Sequence, residues 1–200
     1  MIMEFLGGVL ASSSVDGSII LWNINDGQKN SVLNQEAGEA IRACVFSPDG
    51  SALVSSDDSG GVCVWGQNKA FINSIRVHEE AVHTLAFSPD SYLLLTGCNL
   101  GNLRFFIIDH PIETSDQRTQ IYTLVTCGTD HYLKIWRLFV VHGIHEAEER
   151  RTKLVPQTPQ EHICGSSTIY CTERMNAECV LSFNAHGSSV TCVKFNASGT

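Results

Sequence analysis

The sequence predicts an all-β fold assembled from repeated, short, antiparallel sheets, and three observations carry that expectation. Four stretches share one pattern: residues 10–22 (LASSSVDGSIILW), 52–65 (ALVSSDDSGGVCVW), 93–106 (LLLTGCNLGNLRFF) and 124–136 (LVTCGTDHYLKIW). Each reads as a short apolar strand, a polar turn and an alternating strand closed by an aromatic residue. The closing aromatics at positions 22, 65 and 106 recur at a spacing of about 40 residues, the length of one small sheet. Two of the stretches are preceded by near-identical turns, Ser47-Pro48-Asp49-Gly50 and Ser88-Pro89-Asp90-Ser91, in which proline presets φ for the reversal. A hairpin of this kind cannot form a core alone, so it has to repeat.

Taken in order, residues 1–22 hold what read as the second and third strands of a unit, joined by Val15-Asp16-Gly17-Ser18, with no strand visible before them. A turn at 23–27 and a strand near 31–34 follow. The second unit is the most regular, with strands at 41–46, 52–55, 62–65 and 70–75. The third repeats it at 82–87, 92–96 and 103–106. The rhythm then breaks from Ile107: residues 110–120 (HPIETSDQRTQ) are polar and contain a proline, so the fourth unit keeps strands at 122–126 and 133–136 while its first strand is missing or degenerate. Residues 142–178 show no period and are expected to be an irregular insertion or loop. Residues 179–200 read as the start of a further unit, giving an organisation of 1–141, 142–178 and 179–200.

Composition narrows the function. With 43% hydrophobic residues the chain can bury a substantial core, and it has no run of 18 apolar residues to span a membrane. The start, MIMEFLGG, lacks the basic region of a secretory leader, so an intracellular protein of the cytoplasm, the nucleus or both is expected. Net charge is −8 and the 13 Lys and Arg are scattered, which argues against a nucleic-acid surface. Cysteines 44, 63 and 192 fall in strands and read as small buried hydrophobes. Cys164, Cys171 and Cys179 group near His162, but without a Cys-x2-Cys pair, so no metal site is expected.

No catalytic constellation emerges. Asp57 and Asp58 are neighbours in a turn, where consecutive side chains point apart, and are expected to be solvated. Histidines 78, 83, 110 and 186 lie in different units. No phosphate-cradling glycine motif is present, so no cofactor is expected, and Asn196-Ala197-Ser198 reads as a turn rather than a glycan acceptor.

Five segments, FSPDG at 46–50, FSPDS at 87–91, SVDGSIILW at 14–22, GTDHYLKIW at 128–136 and AHGSSVTCVKFNASG at 185–199, together resemble the WD40 repeat. That resemblance implies a β-propeller with about four and a half blades visible, part of a larger ring of the seven-bladed type. Within the family, LWNINDGQ, LLTGCNLGNLRFF and TLVTCGTDHYLKIW are similar to the proteins in which a SAM domain and a U-box follow the propeller. The implied function is a non-catalytic scaffold binding protein partners, with substrate recognition for a U-box ubiquitin ligase as its specific form. The alternatives are a truncated, non-functional propeller fragment, or a passive domain joined to a U-box absent from these residues.

WD40 blades often link a histidine, a strand hydroxyl, a turn aspartate and a tryptophan through hydrogen bonds. By resemblance, the first blade supplies Asp16 and Trp22, and the second Trp65, with Ala37 and Ser59 at the histidine and aspartate places and Asp58 adjacent. The third supplies His78, with Leu100 and Phe106 replacing the others. The fourth has Asp130 and Trp136, with His110 displaced by two residues, and the fifth His186. Blades two and three are therefore expected to rely on apolar packing, and the fourth to keep part of the chain of bonds. Arg42, His83 and Thr191 each follow the first apolar residue of a first strand, Ile41, Val82 and Val190. They are the candidate protein-binding rim.

Overall fold

The computed structural model describes residues 3–35, 38–107, 118–142, 160–164, 167–171 and 175–193. Every helix or strand among them is a β-strand. The chain divides into two compact units, Met1–His110 and Pro111–Thr200. Ala37, His110 and Asn196-Ala197-Ser198 lie outside the described residues.

In the first unit, β1 (Met3–Leu6), β2 (Val9–Ser13), β3 (Ser18–Asn23) and β4 (Lys29–Asn34) form one meander, and β5 (Ile41–Phe46), β6 (Ala52–Asp57), β7 (Gly61–Gly66) and β8 (Phe71–Arg76) form the next. The first sheet corrects the expectation of a missing strand: Met3 to Leu6 pair with Ser12 to Val9. Four residues satisfy the backbone groups along that edge of β2, too short a run to carry a periodic signal. A third meander follows in β9 (Val82–Phe87), β10 (Leu93–Cys98) and β11 (Asn102–Ile107).

Alternation along the strands explains how these sheets pack. Side chains point to opposite faces with period two. Ile19, Leu21 and Leu33 of the first sheet enter one buried cluster with Leu53, Cys63 and Trp65 of the second. The intervening residues Val54 and Val62 enter another cluster with Val82 and Leu94 of the third. The second sheet is buried on both faces, which is why β6 is a continuous buried run from Leu53 to Asp57.

The turns show why a nearly repeated motif differs at one residue. Gly50 closes the first SPD turn at φ +73°, and Ser91 holds the corresponding conformation at φ +61°. A left-handed serine is disfavoured. Ser91 is buried, however, and its Oγ accepts the Asp49 N–H at 3.0 Å, tying the turn of one sheet to that of the next.

In the second unit, β12 (Arg118–Cys127) and β13 (Tyr132–His142) form a hairpin much longer than the expected strands. No first strand accompanies them among the described residues. The segment expected to be irregular contains a hairpin, β14 (Gln160–Cys164) and β15 (Ser167–Cys171). Residues 179–184, expected to open a further unit, instead belong to β16 (Met175–Asn184), which pairs with β13 as the third strand of its sheet. Sequence period does not reveal which edge a strand joins, because strand pairing is a long-range choice.

A feature absent from any sequence pattern recurs on the outer strands. Each slips register opposite the closing tryptophan: between Leu21 and Trp22, between Val64 and Trp65, and between Ile135 and Trp136. The residues left unpaired are Asn30, Ile72 and Val180. Such bulges twist an exposed strand and spoil it as a template for another chain. On β8 the Ser74 N–H is further capped by Asn73 Oδ1 at 2.9 Å.

Gly60, in the β6–β7 turn, packs against the backbone of the segment that follows β8. Its φ is +86°, its carbonyl accepts the Val77 and His78 N–H groups at 2.9 and 3.1 Å, and a Cβ there would stand 2.0 Å from the His78 carbonyl oxygen. Gly60→Ala is expected to cost about 2–4 kcal/mol in a denaturant melt through strain at a left-handed position and displaced backbone. Gly187→Ala, with nothing within 4 Å, is the control and is expected to be silent.

Candidate functional site

Beneath the sheet ends lies a repeated polar device. The indole N–H of Trp22 donates to Ser12 Oγ at 2.8 Å, that of Trp65 to Ser55 Oγ at 3.2 Å and that of Trp136 to Thr126 Oγ1 at 3.0 Å. In each case the acceptor lies 10 residues earlier on the neighbouring strand of the hairpin, two positions from the residue directly opposite the tryptophan. A buried indole N–H needs a partner, and a hydroxyl on the neighbouring strand supplies it without admitting water. Phe106 has no such donor. The corresponding hydroxyl, Thr96 Oγ1, is instead 2.8 Å from His78 Nε2. The third sheet's hydroxyl thus meets a histidine where those of the other sheets meet an indole.

The second sheet departs from the expectation of apolar packing alone. Asp57, expected in a solvated turn, is 3% exposed. Its Oδ1 accepts from the Ser59 N–H at 2.9 Å, Ser59 Oγ at 2.7 Å and the Gly61 N–H at 2.8 Å, and its Oδ2 accepts from Gln35 Nε2 at 2.8 Å. The buried carboxylate is thus Asp57, not Asp58 or a substitute at Ser59, and buried Gln35 supplies a side-chain donor ahead of β5. Four hydrogen bonds offset the cost of removing this carboxylate from water. A glutamine in place of histidine hid the arrangement from motif matching.

Other sequence candidates lie apart from these bonds. Asp16 is exposed and held in its own turn by Ser18 N–H and Oγ at 2.9 and 2.6 Å, bonds that lower its carboxyl pKa. Asp130 accepts from the Tyr132 N–H at 3.1 Å and pairs with Lys134, whose side chain is 3% exposed. His186 is exposed.

Above the buried bonds, in the first unit, sits a charged cluster. Arg42 grips Asp58 through two nitrogens, Nε to Oδ1 and Nη2 to Oδ2. That fork holds the Asp58 carboxyl below its ordinary range, with a smaller contribution from His83. His83 is exposed, and Arg42 and Asp58 keep 38% and 32% of their side chains accessible. Thr191, in the second unit, is exposed. No group of three or more His, Cys, Asp or Glu suited to a metal ion exists among the described residues, and no helix is long and apolar enough to cross a membrane.

Comparison with known proteins agrees with this architecture. The WD domain, G-beta repeat, matches residues 27–66, 69–106 and 177–200, half of the chain, and the chain belongs to the WD40 repeat family. It is 29% identical over 150 residues to WD repeat-containing protein 55 of Homo sapiens, covering 66% of this chain and 38% of that protein. It is 37% identical over 59 residues to WD repeat, SAM and U-box domain-containing protein 1 of Danio rerio, covering 30% of this chain and 12% of the relative. The chain therefore spans well under two thirds of the relatives it matches. Among solved structures, the RRP9 WD40 repeats align with a TM-score of 0.54 and 20% identity over 64% of this chain and 44% of that one. A chain of the mitotic checkpoint complex aligns at 0.58 and 16% over 94% and 53%.

Trp136 is 1% exposed, whereas Trp22 is only partly buried. Trp136→Ala is expected to lose roughly 3–5 kcal/mol in a denaturant melt, mostly as a cavity. Trp22→Ala should lose clearly less.

His78 is buried, and burial followed by the positive charge of Arg104 pushes its pKa from 6.5 down to about 4. Between those values the unfolded chain binds a proton that the folded chain refuses. Stability should therefore be flat in this group above about pH 6.5 and fall by roughly 3 kcal/mol as pH drops toward 4. Urea melts of wild type and His78→Gln across that window check the sign: the variant should lose this part of the slope.

Proposed function

We propose that this chain is a non-catalytic scaffold that holds a protein segment on the rim carrying Arg42 and His83. The observation that carries the reading is the Arg42–Asp58 fork beside His83. An arginine prealigned by a carboxylate, on a turn fixed from below by Asp57, presents its remaining donors in one geometry at low entropic cost. A rigid sheet scaffold carrying short exposed turns suits the capture of protein segments. Membership of the WD40 family supports this class of partner.

A more specific reading, substrate reception for a U-box ubiquitin ligase, is supported by the 59-residue similarity to the WD repeat, SAM and U-box protein. The longer match to WD repeat-containing protein 55 supports the general scaffold reading. We favour the scaffold in its general form, acting in the cytoplasm, the nucleus or both.

Affinity capture on immobilised chain tests the rim. Arg42→Glu sets two acidic groups side by side at a partly exposed position, so its melt should stay within about 1 kcal/mol of wild type. Captured partners should fall at least tenfold. Undiminished capture by Arg42→Glu and by His83→Ala would remove the rim from consideration.

A further inference from the structure

One end of the first unit is a continuous surface of turns and linking segments. Residues 38–41 are held between two turns, the Ile41 N–H donating to the Ser14 carbonyl at 3.1 Å and the Ala40 carbonyl accepting the Asp58 N–H at 3.1 Å. Residues 77–81 are held in the same way, by the Gly60 carbonyl on one side and, on the other, by the Asn99 N–H, which donates to the Ala81 carbonyl at 3.3 Å. The β6–β7 turn therefore lies between two linking segments, with the Arg42–Asp58 fork and His83 at the centre. Every one of these contacts is internal to the first unit.

The flanks of this surface are acidic. Glu39 stands on one linking segment and Glu79 and Glu80 on the other, all three exposed. Asp16 is exposed in the turn whose Gly17 lies against the Gly38–Glu39 backbone. The fork cancels the charge of Arg42 against that of Asp58. Arg76, the other arginine of this end, is folded onto the chain, its Nε and Nη2 donating to the His78 and Glu79 carbonyls at 3.3 and 3.2 Å. At the opposite end of the same sheets the exposed lysines Lys29 and Lys69 nearly offset Asp26, Asp49 and Asp90, so the larger excess of negative charge belongs to the rim.

We infer that the segment held at this rim is basic, with lysine or arginine on either side of the residue that meets the fork. The inference rests on the rim reading above and adds the chemistry of the partner. Its warrant is charge complementarity. An acidic or phosphorylated segment lying across the fork would run over Glu39 at one side and Glu79 and Glu80 at the other, and like charges in contact are costly. A basic segment gains at both flanks, and several weak exposed pairs together supply the selectivity that one cannot. Arg42 does not oppose it. Its charge is matched by Asp58, and its remaining N–H groups are left to bond main-chain carbonyls, which a segment of any charge presents. The net charge of −8 draws a basic segment toward the chain, and the rim then orients it.

Fluorescence anisotropy on the full chain tests this with two labelled peptides built on serine and alanine, one carrying lysines and the other glutamates at the same places. The lysine probe is expected to bind tighter by about tenfold, with an affinity that falls as salt rises. Glu39→Gln with Glu80→Gln should weaken it about fivefold. Asp26→Asn with Glu178→Gln removes the same charge elsewhere and should leave it within about twofold. All four side chains are exposed, so both double variants should melt as wild type does. A lysine probe that binds no better than the glutamate probe overturns the inference. Equal weakening by the two double variants overturns it as well, since attraction to net charge alone would then account for binding. The two readings fail separately: undiminished capture by Arg42→Glu and His83→Ala removes the rim, whereas a glutamate probe that binds as well as the lysine probe leaves the rim and removes the basic partner.

Discussion

The burial of both faces of a small sheet by its neighbours is the constraint on which this molecule rests. A four-stranded antiparallel sheet of strands about six residues long has little interior of its own, and its stability comes from side chains that leave the sheet plane. The second sheet shows the condition fully met: Leu53, Cys63 and Trp65 pack on one side, Val54 and Val62 on the other. Because period-two alternation sends successive residues to opposite faces, almost every residue of β6 is constrained. Gly60 is fixed by a close backbone contact of its own, since the segment that follows β8 bonds its carbonyl and leaves no room for a Cβ.

Several polar groups trapped by that packing find local partners, by different means in each sheet. Where the closing aromatic is tryptophan, a hydroxyl across the hairpin accepts its N–H. Where it is phenylalanine, the hydroxyl bonds a histidine, which burial and a nearby arginine keep neutral at physiological pH. Where the histidine is missing, a glutamine reaches the buried aspartate. These substitutions give an indole N–H, a histidine nitrogen and a carboxylate a partner each, while Gln35 Oε1 and Ser13 Oγ stay buried without a hydrogen bond. The resulting stiffness places Arg42 and Asp58 above the buried aspartate with their orientation already fixed.

Much of the fold was legible in the residues. The strands of the second and third sheets lie within a residue or two of the positions read from alternation and turn chemistry, because local preference and burial agree there. The candidate site was only partly legible. Asp57 reads as one of two adjacent turn carboxylates, and nothing local distinguishes the one that turns inward. Gln35 lies 22 residues from its partner and matches no motif. The recurring hydroxyl at Ser12, Ser55, Thr96 and Thr126 was available to sequence inspection, but its meaning depends on which strand it faces. In the second unit the segment before β16 lacks period, so its hairpin could not be read in advance.

By itself the sequence determined the class of fold, the repeat length, the turns and the family, because each is written in short-range patterns of apolar, aromatic and turn-forming residues. Tertiary structure decided which carboxylate is buried, which edge β16 joins and where the outer strands bulge. Those outcomes depend on pairings between residues far apart in the chain, and the free energy of such a pairing belongs to the contact rather than to either segment alone.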